Sequence, residues 1–248
     1  MNIEFVEEIT STNTVLLERA KEQKNKEEQV LVAFCQTAGK GRKGRSFYSP
    51  SETGLYMSIL LYPKYPVSEV LKLTPLMAVA AAKALEDFKG EPIDIKWVND
   101  LYRNGRKISG ILTECSPKIE NGIPEYVVIG TGINLFTPEG GFPEDIRDRA
   151  GSLFDENDIS VKKEDRNAIK RKLAIDIIGS FEKYYEGFPT VNYLEDYRKR
   201  LFIVGKEVLV SDGRKGTVLG VDDNFGLKIR FVDGGEDILN AGEVSLTL

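Results

Sequence analysis

The chain has 248 residues, 41% hydrophobic and 29% charged, with a formal net charge of −5 and with 23 glycines and 10 prolines spread along its length. This is enough chain to bury one sizeable core plus a smaller second one; the composition excludes a low-complexity or repeat protein and argues against nonspecific nucleic-acid binding. There is no histidine, which removes Ser–His–Asp and Cys–His nucleophilic sites, His-based metal centres and the commonest general base. Chemistry on this chain has to run on carboxylates, Lys, Arg and bound phosphates. Activation of a carboxylic acid by ATP suits that inventory, because the attacking carboxylate is already an anion at neutral pH and the difficulty is neutralising phosphate charge.

Residues 1–30 lack a charged start followed by an apolar stretch, so no signal peptide is expected. Ile3–Ile9 reads as a short strand, and Ser11-Thr12-Asn13 offers capping side chains before a helix that runs out in the charged stretch Lys21–Glu28. Gln29–Cys35 is a strand, Thr37–Thr53 a long Gly-, Lys- and Arg-rich loop, and Gly54–Tyr62 another strand. Ser68–Phe88 carries a helical apolar face through Leu71, Leu76, Val79, Ala80 and Ala84. Ile93–Val98 is a strand, and Asp100–Glu114 predicts a hairpin turning at Asn104-Gly105. Tyr126–Leu135 is a further strand, followed by helices over Lys162–Phe188 and Val191–Arg200. After about Ile203 the pattern changes to short strands (Glu207–Val210, Lys215–Val221, Leu227–Val232, Glu236–Leu239) separated by Asp- and Gly-rich turns. Strands so closely spaced suggest a small barrel, which divides the chain into an α+β unit over 1–203 and a minibarrel over 204–248. The longest apolar runs, Gly54–Tyr62 and Met77–Ala82, are too short to cross a bilayer, and Cys35 and Cys115 read as reduced core thiols. A cytoplasmic protein without a membrane role is expected.

The segment Gly39-Lys40-Gly41-Arg42-Lys43-Gly44 satisfies G-x-G-x-x-G and follows a strand. A dinucleotide-binding turn needs a helix to begin at the last glycine, whereas Arg45-Ser46-Phe47-Tyr48-Ser49-Pro50 has no helical periodicity. What remains is a loop carrying Lys40, Arg42, Lys43 and Arg45, suited to clamping phosphates or carboxylates, or simply a solvated basic loop or one that touches RNA.

Four motifs in order reach beyond these readings. Gln36-Thr37-Ala38-Gly39-Lys40-Gly41-Arg42-Lys43-Gly44-Arg45 resembles the biotin loop of biotin–protein ligases, and Ser11-Thr12-Asn13 resembles that family's early S-T-N motif. Lys96-Trp97-Val98-Asn99-Asp100 with Lys107-Ile108-Ser109-Gly110-Ile111-Leu112 and Glu114 resembles its K-W-P-N-D…K-x-x-G-I-L-x-E block. Gly130-Thr131-Gly132-Ile133-Asn134 resembles its G-x-G-I-N strand end, and Phe142-Pro143 to Ser152-Leu153 its adenine-side loop. Lys40 stands where Arg is usual, Phe47 where Trp is common and Val98 where Pro is usual; Lys for Arg gives up bidentate geometry.

The resemblance implies an α+β fold: a class II synthetase-like catalytic domain of the biotin–lipoate ligase type, built on a mixed sheet, with a C-terminal SH3-like barrel. It implies ATP and biotin as substrates, with Mg²⁺ held mainly by the ATP phosphates and no dedicated metal-ligating residues. Ser11, Thr12, Asn13, Gln36, Gly39, Lys40, Gly41, Arg42, Lys107 and Gly110 would bind biotin, and Arg42, Arg45, Phe47, Lys96, Asn99 and Asn134 would bind ATP. Hydroxyls and amides suit biotin's ureido ring, which offers two N–H donors and a carbonyl, although Ser11 and Asn13 also read as plain helix caps. Arg42 and Lys107 would neutralise charge where the carboxylate meets the α-phosphate, against the alternative that Lys107 is a solvated lysine on a hairpin arm. Asp100 would orient the acceptor amine and help take its proton, or be a turn aspartate; Gly110 would let the backbone lie close to ligand, or mark a bulge. The barrel would dock the carrier, complete the ATP site or only stabilise. The partner implied is a biotin carboxyl carrier protein with an acceptor lysine, and homodimers occur in the family. A lipoate–protein ligase is the nearest alternative enzyme. A biotin-responsive transcriptional regulator is disfavoured, since Ser11 already belongs to the catalytic unit, leaves no room for a helix-turn-helix and implies no DNA partner.

Overall fold

Alternation along the strands decides which side chains meet which helix. The structure, a computed structural model, describes residues 1–155, 158, 161–240 and 242–246. The first strand, β1 (Asn2–Ile9), leads through the helix α1 (Thr12–Glu22) into β2 (Gln29–Gln36), which lies parallel to β1. Every later pairing in the main sheet is antiparallel: β2 with β3 (Gly54–Leu61), β3 with β9 and β9 with β6. Between β3 and β9 the chain forms helices α2 (Val67–Val70) and α3 (Leu73–Lys89), then β4 (Asp94–Lys96), β5 (Asp100–Arg103), β6 (Arg106–Cys115) and the small hairpin β7 (Ile119–Glu120) and β8 (Ile123–Pro124). With β9 (Val127–Asn134) the result is a seven-stranded mixed sheet ordered β1-β2-β3-β9-β6-β5-β4. Helix α4 (Arg166–Glu186) and helix α5 (Leu194–Arg200) follow.

One face of the sheet presents Val30, Val32, Met57, Ile59, Val127, Ile129, Ile111 and Ile133 to a core shared with α3, α4 and α5. The opposite face presents Leu31, Leu60 and Val128 to Leu16 and Ala20 of α1. Because successive side chains point to opposite faces, Tyr56, Ser58, Gly130 and Gly132 share the α1 face. That assignment positions the candidate site.

The helix expected over Ser68–Phe88 is broken into α2 and α3. Pro75 has no N–H to offer the carbonyl of Leu71, and its ring crowds that carbonyl, so the chain tightens there with a Thr74 N–H donating to Leu71 O at 3.3 Å. The hairpin turns at Asn104-Gly105 as expected, both residues having left-handed φ values of 51° and 74°. The strand expected over Ile93–Val98 is only three residues long, and the β7–β8 hairpin carries no alternating signal. The start of the helix expected at Lys162 is a 3₁₀ turn at Lys163–Asp165.

The C-terminal strands β10 (Glu207–Val210), β11 (Lys215–Val221), β12 (Leu227–Phe231), β13 (Glu236–Leu239) and β14 (Val244–Leu246) form a separate antiparallel sheet ordered β13-β12-β11-β10-β14, consistent with an SH3-like unit. Residues 241, 247 and 248 of the expected barrel lie outside the described residues. This sheet is anchored to the main one at Phe225: its carbonyl accepts from the Trp97 indole N–H at 2.7 Å, its ring stacks on Tyr193 at 5.2 Å, and Tyr197 meets it edge-on. Among the described residues no helix is long and apolar enough to cross a membrane.

Lys170 of α4 is fully buried, its Nζ has no hydrogen-bond partner among the described residues, and it lies 5.2 Å from the Phe34 ring. Burial pushes its pKa down from 10.5 to about 8. Below pH 8 the amine is protonated in folded and unfolded chains alike, and the folded chain carries the cost of a buried charge. Between pH 8 and 10.5 only the unfolded chain holds the extra proton, so stability rises with pH across that window. Lys170→Met is therefore expected to stabilise the protein at pH 7 by about 2–3 kcal/mol and to flatten the rise above pH 8. Urea unfolding at pH 7 and 9.5 checks this; a destabilised variant would show that the amine has a partner of its own.

Candidate active site

Two cross-strand rows on the α1 face form the floor of a cleft. Tyr56, Gly132 and Gly110 lie side by side on β3, β9 and β6, and Ser58, Gly130 and Leu112 form the neighbouring row. The glycines keep this floor low. A Cβ on Gly130 would overlap the Asn13 amide, and one on Gly132 would come within 2.8 Å of the Phe47 ring. The N-terminus of α1 descends onto the floor with Ser11, Thr12 and Asn13 all buried.

The polar groups here are tied together. Ser11 caps α1, its Oγ accepting from Thr14 N at 3.5 Å. The Gln36 carbonyl oxygen accepts from Thr12 N at 2.7 Å and from Thr12 Oγ at 3.1 Å. Ser58 lies 2.7 Å from Thr12 Oγ and donates to Asn13 Oδ1 at 2.6 Å, while Asn13 Nδ2 donates to Glu114 Oε2 at 2.7 Å and to the Leu112 carbonyl at 3.3 Å. The capping and ligand-binding readings of Ser11 are thus compatible, whereas the Asn13 side chain does not cap. It lies across β9 and reaches β6.

Ser11, Thr12, Asn13, Gln36, Lys40, Phe47 and Gly110 line one cavity together with Tyr56, Leu112 and Gly130–Gly132. Its free volume is only about 30 Å³, because the Phe47 ring lies over Gly110 and Gly132 and packs edge-on against Tyr56 at 6.3 Å.

A bulge places the cations. Along β6 the partners of Leu101 and Tyr102 are Ser109 and Lys107, so Ile108 is an extra residue. Without it Lys107 would share the core face with Ser109 and Ile111; the bulge turns it to the face of Gly110. The bulge sits at Ile108, not at Gly110 itself. Lys107 Nζ pairs with Asp100 Oδ1 at 2.7 Å and lies 3.4 Å from where a Cβ on Gly110 would be, with its side chain half-buried. Burial lowers the Lys96 pKa; Asp100 opposes the shift and Lys107 adds to it. Three charges therefore share one corner, two positive and one negative.

The basic loop is held over this corner. Gly39 is packed so closely that a Cβ would sit 2.5 Å from Ser49 Oγ, and Gly41 faces the Arg45 carbonyl, as a bridge between Lys40 and Ser46 and a 3₁₀ turn at Arg42–Gly44 fold the loop on itself. The loop expected over Thr37–Thr53 therefore has local order at its centre. Arg42 donates to Asn99 Oδ1 at 2.8 Å and to the Gly242 carbonyl at 3.3 Å, and Arg45 pairs with Glu243 at 2.7 Å. Burial alone would raise the Glu243 pKa, but Arg45, Lys43 and Arg42 hold it below the usual carboxylate range. Asn99 donates in turn to the Ile111 carbonyl at 2.9 Å. Asn134 lies apart from the cavity: its amide donates to the Gly151 carbonyl at 3.0 Å and so holds the loop after Phe142 against β9. Arg45 also lies outside the cavity, and the two are not brought together with the Ser11–Asn13 cluster.

Sequence reasoning missed Tyr56, Ser58, Gly242 and Glu243, and quoted Glu114 without giving it a role. A serine in the middle of the apolar run Gly54–Leu61 is the one signal that could have found Ser58. The arrangement offers oriented hydroxyls and amides at one end and cations at the other, which suits a molecule with a polar ring and a carboxylate brought up to phosphates.

Residues 5–134 match the model of the biotin/lipoate A/B protein ligase family. The bifunctional ligase/repressor BirA of Bacillus spizizenii is 34% identical over 218 residues, 86% of this chain and 64% of that protein, so the chain spans about two thirds of that relative's length. BirA of Salmonella typhimurium is 30% identical over 249 residues, covering 99% of this chain and 74% of that protein. Among solved structures, the biotin protein ligase from Aquifex aeolicus in complex with biotin and ATP superposes with a TM-score of 0.76 at 30% identity, covering 99% of this chain and 98% of that one.

Proposed function

The chain belongs to the biotin/lipoate A/B protein ligase family, and from that premise we propose that it is an ATP-dependent biotin–protein ligase. Biotin's carboxylate attacks the α-phosphate of ATP, the C–O–P link forms, pyrophosphate leaves, and the biotinoyl group passes to the lysine amine of a biotin carboxyl carrier protein with release of AMP. The observation that carries the reading is the cavity in which Ser11, Thr12, Asn13 and Gln36 stand together. A ureido ring offers two donors and an acceptor to the hydrogen-bonding capacity this network leaves facing the cavity, such as the Gln36 NH₂ group, whereas the apolar dithiolane of lipoate offers neither, which disfavours lipoate.

In this reading Gly39, Lys40, Gly41 and Gly110 shape the biotin site, and Phe47 leaves Gly110 and Gly132 when ligand enters, to lie beside the nucleotide. Arg42 and Lys107 face the carboxylate and α-phosphate, with Lys96, Asn99, Arg45 and Asn134 toward the rest of the nucleotide. Asp100 orients the acceptor amine. Magnesium would come with ATP, be held mainly by its phosphates and offset part of their charge. The division at residue 203, with the C-terminal unit completing the ATP side through Gly242 and Glu243, belongs to the same proposal.

The test is exchange of labelled pyrophosphate into ATP with the intact chain. Exchange should require biotin and be at least about a hundredfold slower with lipoate. Equal rates with biotin, lipoate and no acid would overturn the assignment.

A further inference from the structure

The backbone of Lys107 is bonded in both directions to a segment outside its own hairpin. Its N–H donates to the Arg149 carbonyl at 2.8 Å and its carbonyl accepts from Gly151 N at 2.8 Å, so residues 149–151 lie beside the start of β6 as a short parallel bridge. The segment closes a turn over 144–149, in which the Pro143 carbonyl accepts from Ile146 and Arg147, and the Ile146 carbonyl from Arg149 and Ala150. A helical turn of this kind leaves the carbonyls at its C-terminal end without partners of its own. Here two neighbouring residues take them up. The Arg106 guanidinium donates to the Arg147 carbonyl at 2.7 Å and to the Ala150 carbonyl at 3.4 Å, while Lys107 N takes that of Arg149. A cationic fork is suited to two carbonyls at once, which a lysine in the same place is not.

Gly151 permits the approach, since a Cβ there would lie 2.7 Å from Arg106 Cβ. Its carbonyl accepts from the Asn134 amide at 3.0 Å, which ties the same segment to the end of β9. Lys107 itself stands between the turn at Asn104-Gly105 and the extra residue Ile108, where the register against β5 shifts. The ladder with β5 therefore fixes it less firmly than its neighbours further along β6, and the contact with residues 149–151 supplies the missing constraint.

We propose that Arg106 is a positioning residue for Lys107: by fastening the 144–149 turn against β6 it fixes the backbone from which the Lys107 ammonium is presented, and joins that ammonium to the loop after Phe142. The inference rests on the reading of Lys107 as the cation between carboxylate and α-phosphate. A group misplaced by about 1 Å at a reacting centre can cost on the order of a hundredfold in rate, so a clip that touches no substrate has leverage on the chemistry.

The test is a double-mutant cycle on the intact chain: wild type, Arg106→Met, Lys107→Ala and the two together. Single-turnover adenylate formation is measured at saturating biotin and ATP, with calorimetric biotin binding in the absence of ATP and thermal melts beside it. Arg106→Met should slow adenylation about tenfold while biotin binding stays within about threefold, and in the Lys107→Ala background it should change the rate less than about twofold, because the side chain it places is gone. Gly151→Ala pushes Arg106 aside without removing it and should show the same dependence on Lys107. Should Arg106→Met melt below the assay temperature, Arg106→Lys, which keeps the charge and loses the fork, is carried through the same cycle.

Three results overturn the inference while the functional reading stands. They are losses that multiply in the double variant, a rate restored to that of the wild type by saturating ATP, and biotin binding that falls in step with adenylation and melting temperature. A Lys107→Ala protein that adenylates biotin like the wild type overturns it as well. A wild-type protein with no biotin-dependent pyrophosphate exchange overturns the functional reading and this inference with it.

Discussion

Lys107→Ala is expected to slow formation of the biotinoyl adenylate by about 10²–10³-fold, with little change in stability. Two anionic groups, a carboxylate and an α-phosphate, have to meet, and a cation fixed between them stabilises the charge that develops as they react. The bulge at Ile108 and the 2.7 Å pairing with Asp100 hold the Lys107 ammonium ready on the cavity side of β6. Little reorganisation is then needed at the moment of reaction. Asp100→Asn should leave the lysine charged but less firmly held, so adenylation should fall by about tenfold or less, whereas transfer to the carrier should fall further because the acceptor amine loses its carboxylate. Single-turnover measurement of the two half-reactions separates these effects. Equal losses in both steps for both variants would remove the division of labour between the two residues.

Gly130→Ala should lower kcat/KM for biotin about a hundredfold. The new methyl group would overlap the Asn13 amide, whose two ends are bonded to Ser58 at 2.6 Å and Glu114 at 2.7 Å, so the amide cannot move aside without breaking one of them. Leaving buried polar partners unsatisfied costs about 1–3 kcal/mol per group, and displacing the amide disturbs at least one group on each side. Gly179→Ala is the control: it lies on α4 with open space around its Cβ position, and should leave exchange unchanged and the melting temperature equal or slightly higher. If Gly130→Ala binds biotin as the wild type does, the contact between β9 and the start of α1 is not what shapes the cavity.

Much of this was legible in the chain. Period-two and period-3.6 apolar patterns marked the main strands and helices, Asn104-Gly105 marked its hairpin, and the turn-punctuated strands after Ile203 marked the second sheet. These are local signals, set by backbone sterics and by which face of an element is apolar. The absence of histidine narrowed the chemistry, and the ordered motifs carried the family.

Local pattern did not reveal contacts between distant segments. It could not tell that an extra residue at Ile108 turns Lys107 from the core to the cavity, because a bulge is defined only against its partner strand. Nor could it tell that Ser58 joins Thr12 and Asn13 to Glu114, since those residues are 46, 45 and 101 positions apart where they bond. The docking of Arg42 and Arg45 on Gly242 and Glu243 spans about 200 residues and depends on how the second sheet seats against Trp97 through Phe225. The sequence by itself determined the elements, their faces and the residue types available for reaction. Tertiary structure alone decided which of those residues face one another, because register, bulges and the joining of the two sheets are set by long-range packing rather than by neighbours in the chain.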